Sequence, residues 1–504
     1  MLRMSPACLN PQPRQSYKSA VSPVDYAKTP FRGVRNAIAS FHPKTLPPMM
    51  RASYGRELVA WWFLPMMLGA IEGGVISVIV KKSFAGVESI SQAQLNFAVA
   101  AVSAAPALAN ITSFMWASLT HGRSKIRFIT WLQVATALFV AGIALSPHSI
   151  AGLALLCVMV YGARISWTGV ILVRTSVWRN NYPRADRARI AGKLASVQAV
   201  VLCGVAFVLG LAMDWNEQSF HWLFPLAAVG GLAGTAIYAK VRLRGQKRLA
   251  RAEKSRSLTD QPSMNPLSVW RVLKNDAHYR RFMMTMFVFG LGNIMLIAPL
   301  AIVLQEHFHL NYWPQIIITS ALPDIMMPLA IPLWSRLLNR CHVVQFRAIH
   351  AWSYVSAAFI MLLAVTTHQP WLLVVMAIIT GIADAGGILA WNLGHNDFAK
   401  DHNASQYMGV HVTLTGLRGL IAPFLGVGIY QVLEHWSPGR GVWTFLPCLM
   451  LNFSGAVGFG LMWREMRNRA LDPCQSCGYD LQATRRNGLP RCPECGGLLS
   501  LPQT

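Results

Sequence analysis

The sequence predicts an all-α integral membrane protein with twelve transmembrane helices and a small cysteine-bearing tail, and three observations predict it. Hydrophobic residues make up 54% of the 504, charged residues only 13%, and mean hydropathy is +0.38. Soluble domains carry about 25% charged residues, so this chain is too poor in charge to solvate its own surface. Second, uninterrupted apolar stretches recur, each long enough to cross a ~30 Å hydrocarbon layer as a helix. Third, the basic excess, 45 Lys+Arg against 20 Asp+Glu, falls almost entirely in alternate connections and in the two terminal tails. Disordered and disulfide-stapled secreted chains are excluded by hydrophobicity and by only 9 Cys.

The first apolar stretch, Leu58–Val80, contains a single ionisable residue, Glu72. Others lie near 94–119, 126–146, 149–173, 190–212 and 219–241, then near 281–304, 312–334, 343–365, 370–394, 408–432 and 441–463. Pro106, Pro323, Pro328 and Pro423 within them would damage soluble helices but are tolerated in packed membrane bundles. The predicted organisation is a basic tail (1–56), a six-helix bundle (57–241), a central loop (242–280), a second bundle (281–466) and a tail module (467–504).

Connections after even-numbered spans hold Arg123, Lys125 and Arg127, then Arg179 to Arg189, then the basic run from Arg242 to Arg281, then Arg336, Arg340 and Arg347. Connections after odd-numbered spans hold only Lys81, Lys82 and Arg440, beside Glu88, Asp214, Glu217, Glu306 and Glu434. The positive-inside rule places the even connections and both termini in the cytoplasm, with the chain in the cytoplasmic membrane. Net charge of +25 is therefore an orientation signal, and nucleic acid is not an expected partner. The first 55 residues contain no signal-peptide apolar region. In them Val34, Ile38 and Phe41 share one helical face, and in the central loop Leu267, Trp270, Val272 and Leu273 predict an amphipathic in-plane helix.

The two halves echo each other. "MWASLTHGRSKIRF" from Met115 is matched by "LWSRLLNRCHVVQF" from Leu333, and "NNYPRADRARIAG" from Asn180 by "NDFAKDHNASQYMG" from Asn396, at offsets of about 217 residues. Six-plus-six spans, cytoplasmic termini, a basic central loop and this repeat together resemble the major facilitator superfamily over about residues 56–466. That family's loop signature after the second span is similar to Gly122, Arg123 and Lys125 here, but Leu119 or Thr120 stands where its Asp is usual; Arg336 and Arg340 are the second-half counterparts. Arg164 lies near Gly169 in a pattern one residue longer than the family's in its fourth span, and the fifth-span antiporter motif is absent, Gly204 and Gly210 being six apart without a proline. The resemblance implies a secondary active transporter of a small solute, working by alternating access and coupled to a proton or ion gradient, not an enzyme. No phosphate-binding G-x-x-x-x-G-K-[ST] loop occurs. A membrane sensor or scaffold, using the same fold and recruiting a cytosolic partner through the tail, is the alternative.

Charges at bilayer depth need a partner, a watery cavity or a function. The resemblance implies a cavity lined by the first, fourth, seventh and tenth spans, which carry Glu72, Arg164, Asn293 and Asp384; Asp324 and Arg418 join them from spans eight and eleven. Glu72 and Asp324 are candidates for proton coupling, and Arg164 for pairing with Glu72 or an anionic solute group. The competing expectation is that Glu72–Arg164 and Asp384–Arg418 are fixed ion pairs. His395, Asn396, Asp397 and His402 make no metal ligand set, and His350 and His411 are expected to pack or hydrogen-bond.

The tail reads Cys474-x2-Cys477-x14-Cys492-x2-Cys495, with Gly478 and Gly496 after each pair. Two such knuckles give four soft thiolates in tetrahedral reach, the ligand set of structural Zn²⁺ in a zinc ribbon. A closed four-thiolate site leaves no position for a catalytic water, and on so short a module metal binding supplies the folding energy.

Overall fold

The computed structural model describes residues 39–112, 115–116, 119–255, 267–338, 341–398 and 404–469, together with Arg491 and Gly496. Most of the basic N-terminal tail, including Val34 and Ile38, lies outside the described residues, as do Arg340 and the four tail cysteines. Residues Met1–Gly55 and Arg56–Thr504 form separate compact units. In the first, the Tyr54 hydroxyl donates to the Phe41 carbonyl at 3.0 Å and the Arg51 Nε to the Leu46 carbonyl at 2.8 Å.

Among the described residues, every regular element from Pro43 to Arg469 is helical, and twelve segments are long and apolar enough to cross a membrane. They are Pro48–Ser83, Gln92–Ile111, Lys125–Leu145, Ile150–Asn181, Arg189–Trp215 and Glu217–Tyr238, then Ala277–Glu306, Tyr312–Leu338, Val343–Thr367, Pro370–Asn392, Tyr407–Trp436 and Arg440–Arg467, numbered spans 1 to 12. Span 4 runs two turns beyond the expected Val173. The reason is Arg174, whose guanidinium stacks over the rings of Trp61 and Trp178, 4.1 and 4.6 Å from their centroids. A cation sandwiched between indoles is at home in a helix interior, so it does not mark the end of the span.

The repeat seen in the sequence is repeated in the packing. Span 3 packs on spans 4 and 6, as span 9 does on 10 and 12; span 1 packs on 5 and 6, as span 7 does on 11 and 12. Across the halves, span 2 lies along span 11 and span 5 along span 8, again an exchanged pair. Glycines permit these approaches: a Cβ on Gly419 would lie 2.5 Å from Ala107 and one on Gly381 2.5 Å from the Pro323 carbonyl oxygen.

Spans 1, 7 and 8 are interrupted, and in spans 7 and 8 a proline explains it. Span 1 turns at Trp61–Phe63 and again at Glu72, which is extended (φ −60°, ψ 141°) and opens the segment Gly73–Ser83. Span 7 breaks at Leu296, where Pro299 has no N–H to offer the Met295 carbonyl. Span 8 widens into a π turn over Ile317–Ala321, just before Pro323, which cannot bond back to Thr319. The central loop contains two helices, Gln246–Lys254 and Leu267–Asn275. The second packs against span 11, and Leu273 is buried with Tyr279, Phe282 and Met283. The expected in-plane helix is therefore docked on protein, because its apolar residue finds the core of the second half within reach.

Candidate functional site

The breaks in spans 1, 7 and 8 face one another across a cavity of about 440 Å³. Its wall includes Glu72 from span 1, Asn293 from span 7, Asp324 from span 8 and Asp384 from span 10. A Cβ on Gly74 would meet Ser320 Oγ at 2.3 Å and the Thr319 carbonyl oxygen at 2.7 Å, so glycine here lets span 1 touch the π turn of span 8. Spans 8 and 10 close in the same way through Gly381 and Pro323, which brings Asp324 and Asp384 to one chamber.

Arg164 does not line the cavity. It reaches from span 4 to the break in span 1, where its Nη2 donates to the Ile71 carbonyl and lies 3.3 Å from Glu72 Oε2. The carbonyl is available because Ile71 ends the short helix Leu64–Ala70. The expected Glu72–Arg164 pair is thus present, with Glu72 still 37% exposed at its side chain.

The Asp384–Arg418 pair is not formed. Asp384 accepts from the Tyr354 hydroxyl at 2.6 Å, whereas Arg418 turns to span 7 and donates to the Met286 carbonyl at 2.6 Å. The guanidinium occupies the space where a Cβ on Gly290 would stand, and that absence of a side chain is what draws Arg418 aside. Asp324 Oδ2 has no hydrogen-bond partner among the described residues, nor does Ser320 Oγ or Thr415 Oγ1, and all three residues border the cavity.

Hydrogen bonds between the halves occur, among the described residues, only at the end that carries the odd-numbered connections. Lys81 of span 1 forms an ion pair with Glu306 of span 7, which also accepts from Gln92 and, at 2.5 Å, from the Tyr430 hydroxyl. Asp214 of span 5 accepts from the backbone N–H groups of Tyr312 and Trp313 at 2.6 and 3.1 Å. The cavity is latched at this end.

At the other end, the gate-loop residues find an acid that their own segment lacks. Gly122, at φ +68°, donates its N–H to Glu253 Oε2 at 2.8 Å, and Lys125 Nζ lies 2.8 Å from the same oxygen. Glu253 belongs to the central-loop helix Gln246–Lys254, and Gln246 adds a bond to Ser124 Oγ at 2.7 Å. Arg123 and Arg336 are exposed.

Sequence reasoning missed Tyr354, Ser320, Glu253 and the Lys81–Glu306 pair. Ser320 and Tyr354 look like ordinary span residues until neighbouring helices are placed. His350 is buried and its Nε2 meets the Ala383 carbonyl at 2.7 Å, and His411 is buried against Trp391. Asp397 accepts from the Val343 N–H at 2.7 Å, fixing the start of span 9, and so has a structural task outside any metal set.

Two pseudo-symmetric six-span bundles, enclosing a polar chamber and latched at one end, define a secondary transporter of the alternating-access type. The sequence matches the Major Facilitator Superfamily over residues 45–423, and the chain belongs to that family. Its fold is similar to a solved mutant of the nucleoside transporter NupG (TM-score 0.62, 13% identity, covering 81% of this chain and 100% of that one). It is also similar to a POT family transporter in complex with 5-aminolevulinic acid (0.58, 14%, 81% and 96%) and to a D-xylose–proton symporter (0.56, 13%, 80% and 98%). No curated protein matches the sequence.

Proposed function

We propose that the chain is a proton-coupled transporter of a small solute, with Glu72 and Asp324 as coupling carboxylates. The observation that carries this reading is their position: one acid from each half, both on the wall of the chamber between the halves. Glu72 has a guanidinium within reach and Asp324 has an oxygen without a partner. A carboxylate in such a chamber can exchange its proton with whichever side the chamber opens to, which ties proton movement to the rocking of the halves. The similar D-xylose–proton symporter points to the same ion.

The even-numbered end carries exposed Arg123, Arg127, Arg242, Arg244, Lys247, Arg248 and Arg251, supporting a cytoplasmic location for it and for both termini. On that orientation the latched end faces outward and the structure is the inward-facing state. The tail would hold one Zn²⁺ through Cys474, Cys477, Cys492 and Cys495, as a structural site available to a cytosolic partner. Gly496 stands at φ +72°, the left-handed turn that the reading requires after the second cysteine pair.

The test is a thermal-shift screen for the solute, followed by uptake into proteoliposomes driven by a pH gradient. Glu72→Gln should abolish acceleration by the gradient while leaving solute exchange measurable, and Asp324→Asn should likewise abolish the acceleration. Unchanged gradient dependence in both variants would overturn the assignment.

A further inference from the structure

The chamber has an electrostatic character that selects a class of solute. Three carboxylates, Glu72, Asp324 and Asp384, reach its wall, and none of the described residues lining it is a lysine, arginine or histidine. Their compensation is unequal. Glu72 has Arg164 beside it, approaching from outside the lining, and Asp384 has one neutral donor, the Tyr354 hydroxyl. Asp324 has an oxygen with no partner among the described residues.

A second observation, independent of the acids, points to an absent ligand in the same place. Ser320, only 4% exposed, lines the chamber from the π turn and its hydroxyl has no partner among the described residues. Thr415 Oγ1, from span 11 opposite, is likewise unpartnered. Buried hydroxyls and carboxylates without partners are costly unless a ligand satisfies them. Around uncompensated carboxylates an anion is repelled, a neutral solute gains only ordinary hydrogen bonds, and a cation gains charge-assisted ones.

We propose that the transported solute is a small organic cation, an ammonium whose charge lies between Asp324 and Asp384 while Ser320 and Thr415 bind polar groups on its body. The chamber volume of about 440 Å³ suits a metabolite-sized ligand. This inference rests on the chamber being the transport site, as proposed above, but it does not require that the driving ion be a proton.

The experiment uses the purified full-length protein and two sets of near-isosteres that differ in charge. One is choline, 3,3-dimethylbutan-1-ol and 3,3-dimethylbutyrate; the other is benzylammonium, benzyl alcohol and benzoate. Thermal stabilisation is expected from the cation of at least one set and to exceed that from its neutral and anionic isosteres. Asp324→Asn should weaken cation binding about tenfold or more, the loss expected when a charged hydrogen-bond partner is removed. Asp384→Asn supplies the same readout should the first variant fold poorly.

Equal or stronger stabilisation by a neutral or anionic member, or none by either cation at millimolar concentration, would overturn the cation assignment. Uptake of radiolabelled choline, permanently charged and non-permeant, separates the two proposals. Choline that binds and enters without regard to the pH gradient refutes proton coupling and upholds the cation. A neutral probe that binds and is driven by the gradient does the reverse.

Discussion

Lys81 and Glu306, 225 residues apart in the chain, join the two halves at one end of the molecule by an ion pair in which the lysine is 1% exposed. Asn96 accepts from the same ammonium at 2.5 Å, and Tyr430 and Gln92 donate to the same carboxylate. One acid thus gathers donors from spans 1, 2 and 11, and span 7 carries it. In the opposite conformation of an alternating-access cycle these contacts must part.

Glu306→Gln is expected to shift the conformational equilibrium away from the latched state by about 2 kcal/mol, roughly 30-fold, the scale of a hydrogen bond to a charged group. Cysteine placed at Ser320 should then become more reactive toward an impermeant thiol reagent applied from the odd-numbered side. Unaltered reactivity would show that the aromatic and backbone contacts at Tyr312 and Trp313 suffice to hold the gate.

Glu253 supplies the gate loop with the acid missing from its own segment. Glu253→Gln removes the charge partner of Lys125, a lysine only 4% exposed. Hydrogen exchange across Gln246–Lys254 should rise by at least about tenfold, the effect of ~1.4 kcal/mol on local opening, with spans 7 to 12 unchanged. No change in that segment would mean the helix is held by its backbone contact with His121 and by Gln246 alone.

Gly381 sets the distance between the helices that carry Asp324 and Asp384. Gly381→Ala places a methyl 2.5 Å from the Pro323 carbonyl oxygen, and overpacking of this kind costs about 1–3 kcal/mol. Gly192→Ala, with nothing within 4 Å of the added carbon, is its control and should be neutral or stabilising by up to about 1 kcal/mol. Melting temperatures of the two variants in one detergent decide the matter.

The four-thiolate proposal is checked by metal analysis. The purified chain should carry one zinc per polypeptide, released by chelator at acidic pH and absent from a Cys474→Ser, Cys492→Ser double variant. Melting of the membrane spans should be unaffected in that variant. A metal-free native protein would remove the ribbon from the account.

Much of the architecture was legible because its determinants are local. Apolar runs give the spans, whose boundaries came within a few residues in most cases. Spans 1, 2 and 4 depart further, span 1 starting at Pro48 and span 2 ending at Ile111. Span 4 is the instructive case: Arg174 reads as a loop residue until Trp61, from another helix, is brought against it. Glu72, Asn293, Asp324 and Asp384 were legible as candidates because any polar group at bilayer depth is expensive, and the structure brings all four to one chamber. Their partners were not legible. Asp384 finds Tyr354 and Arg418 finds a backbone carbonyl because Gly290 leaves room for a guanidinium, a fact that no spacing within span 11 encodes.

By itself the sequence determined that this chain spans a membrane twelve times in two related halves, that basic residues mark one side, and that four cysteines stand at zinc-ribbon spacing. Those properties follow from composition and short-range period, which each segment carries alone. Only the tertiary structure decided which end is latched, which acid serves the gate loop, and which carboxylate is left uncompensated in the chamber. Each of these is a difference between interactions that compete for the same group. The winner is set by helices meeting from distant parts of the chain, at separations fixed by glycines such as Gly74, Gly290 and Gly381.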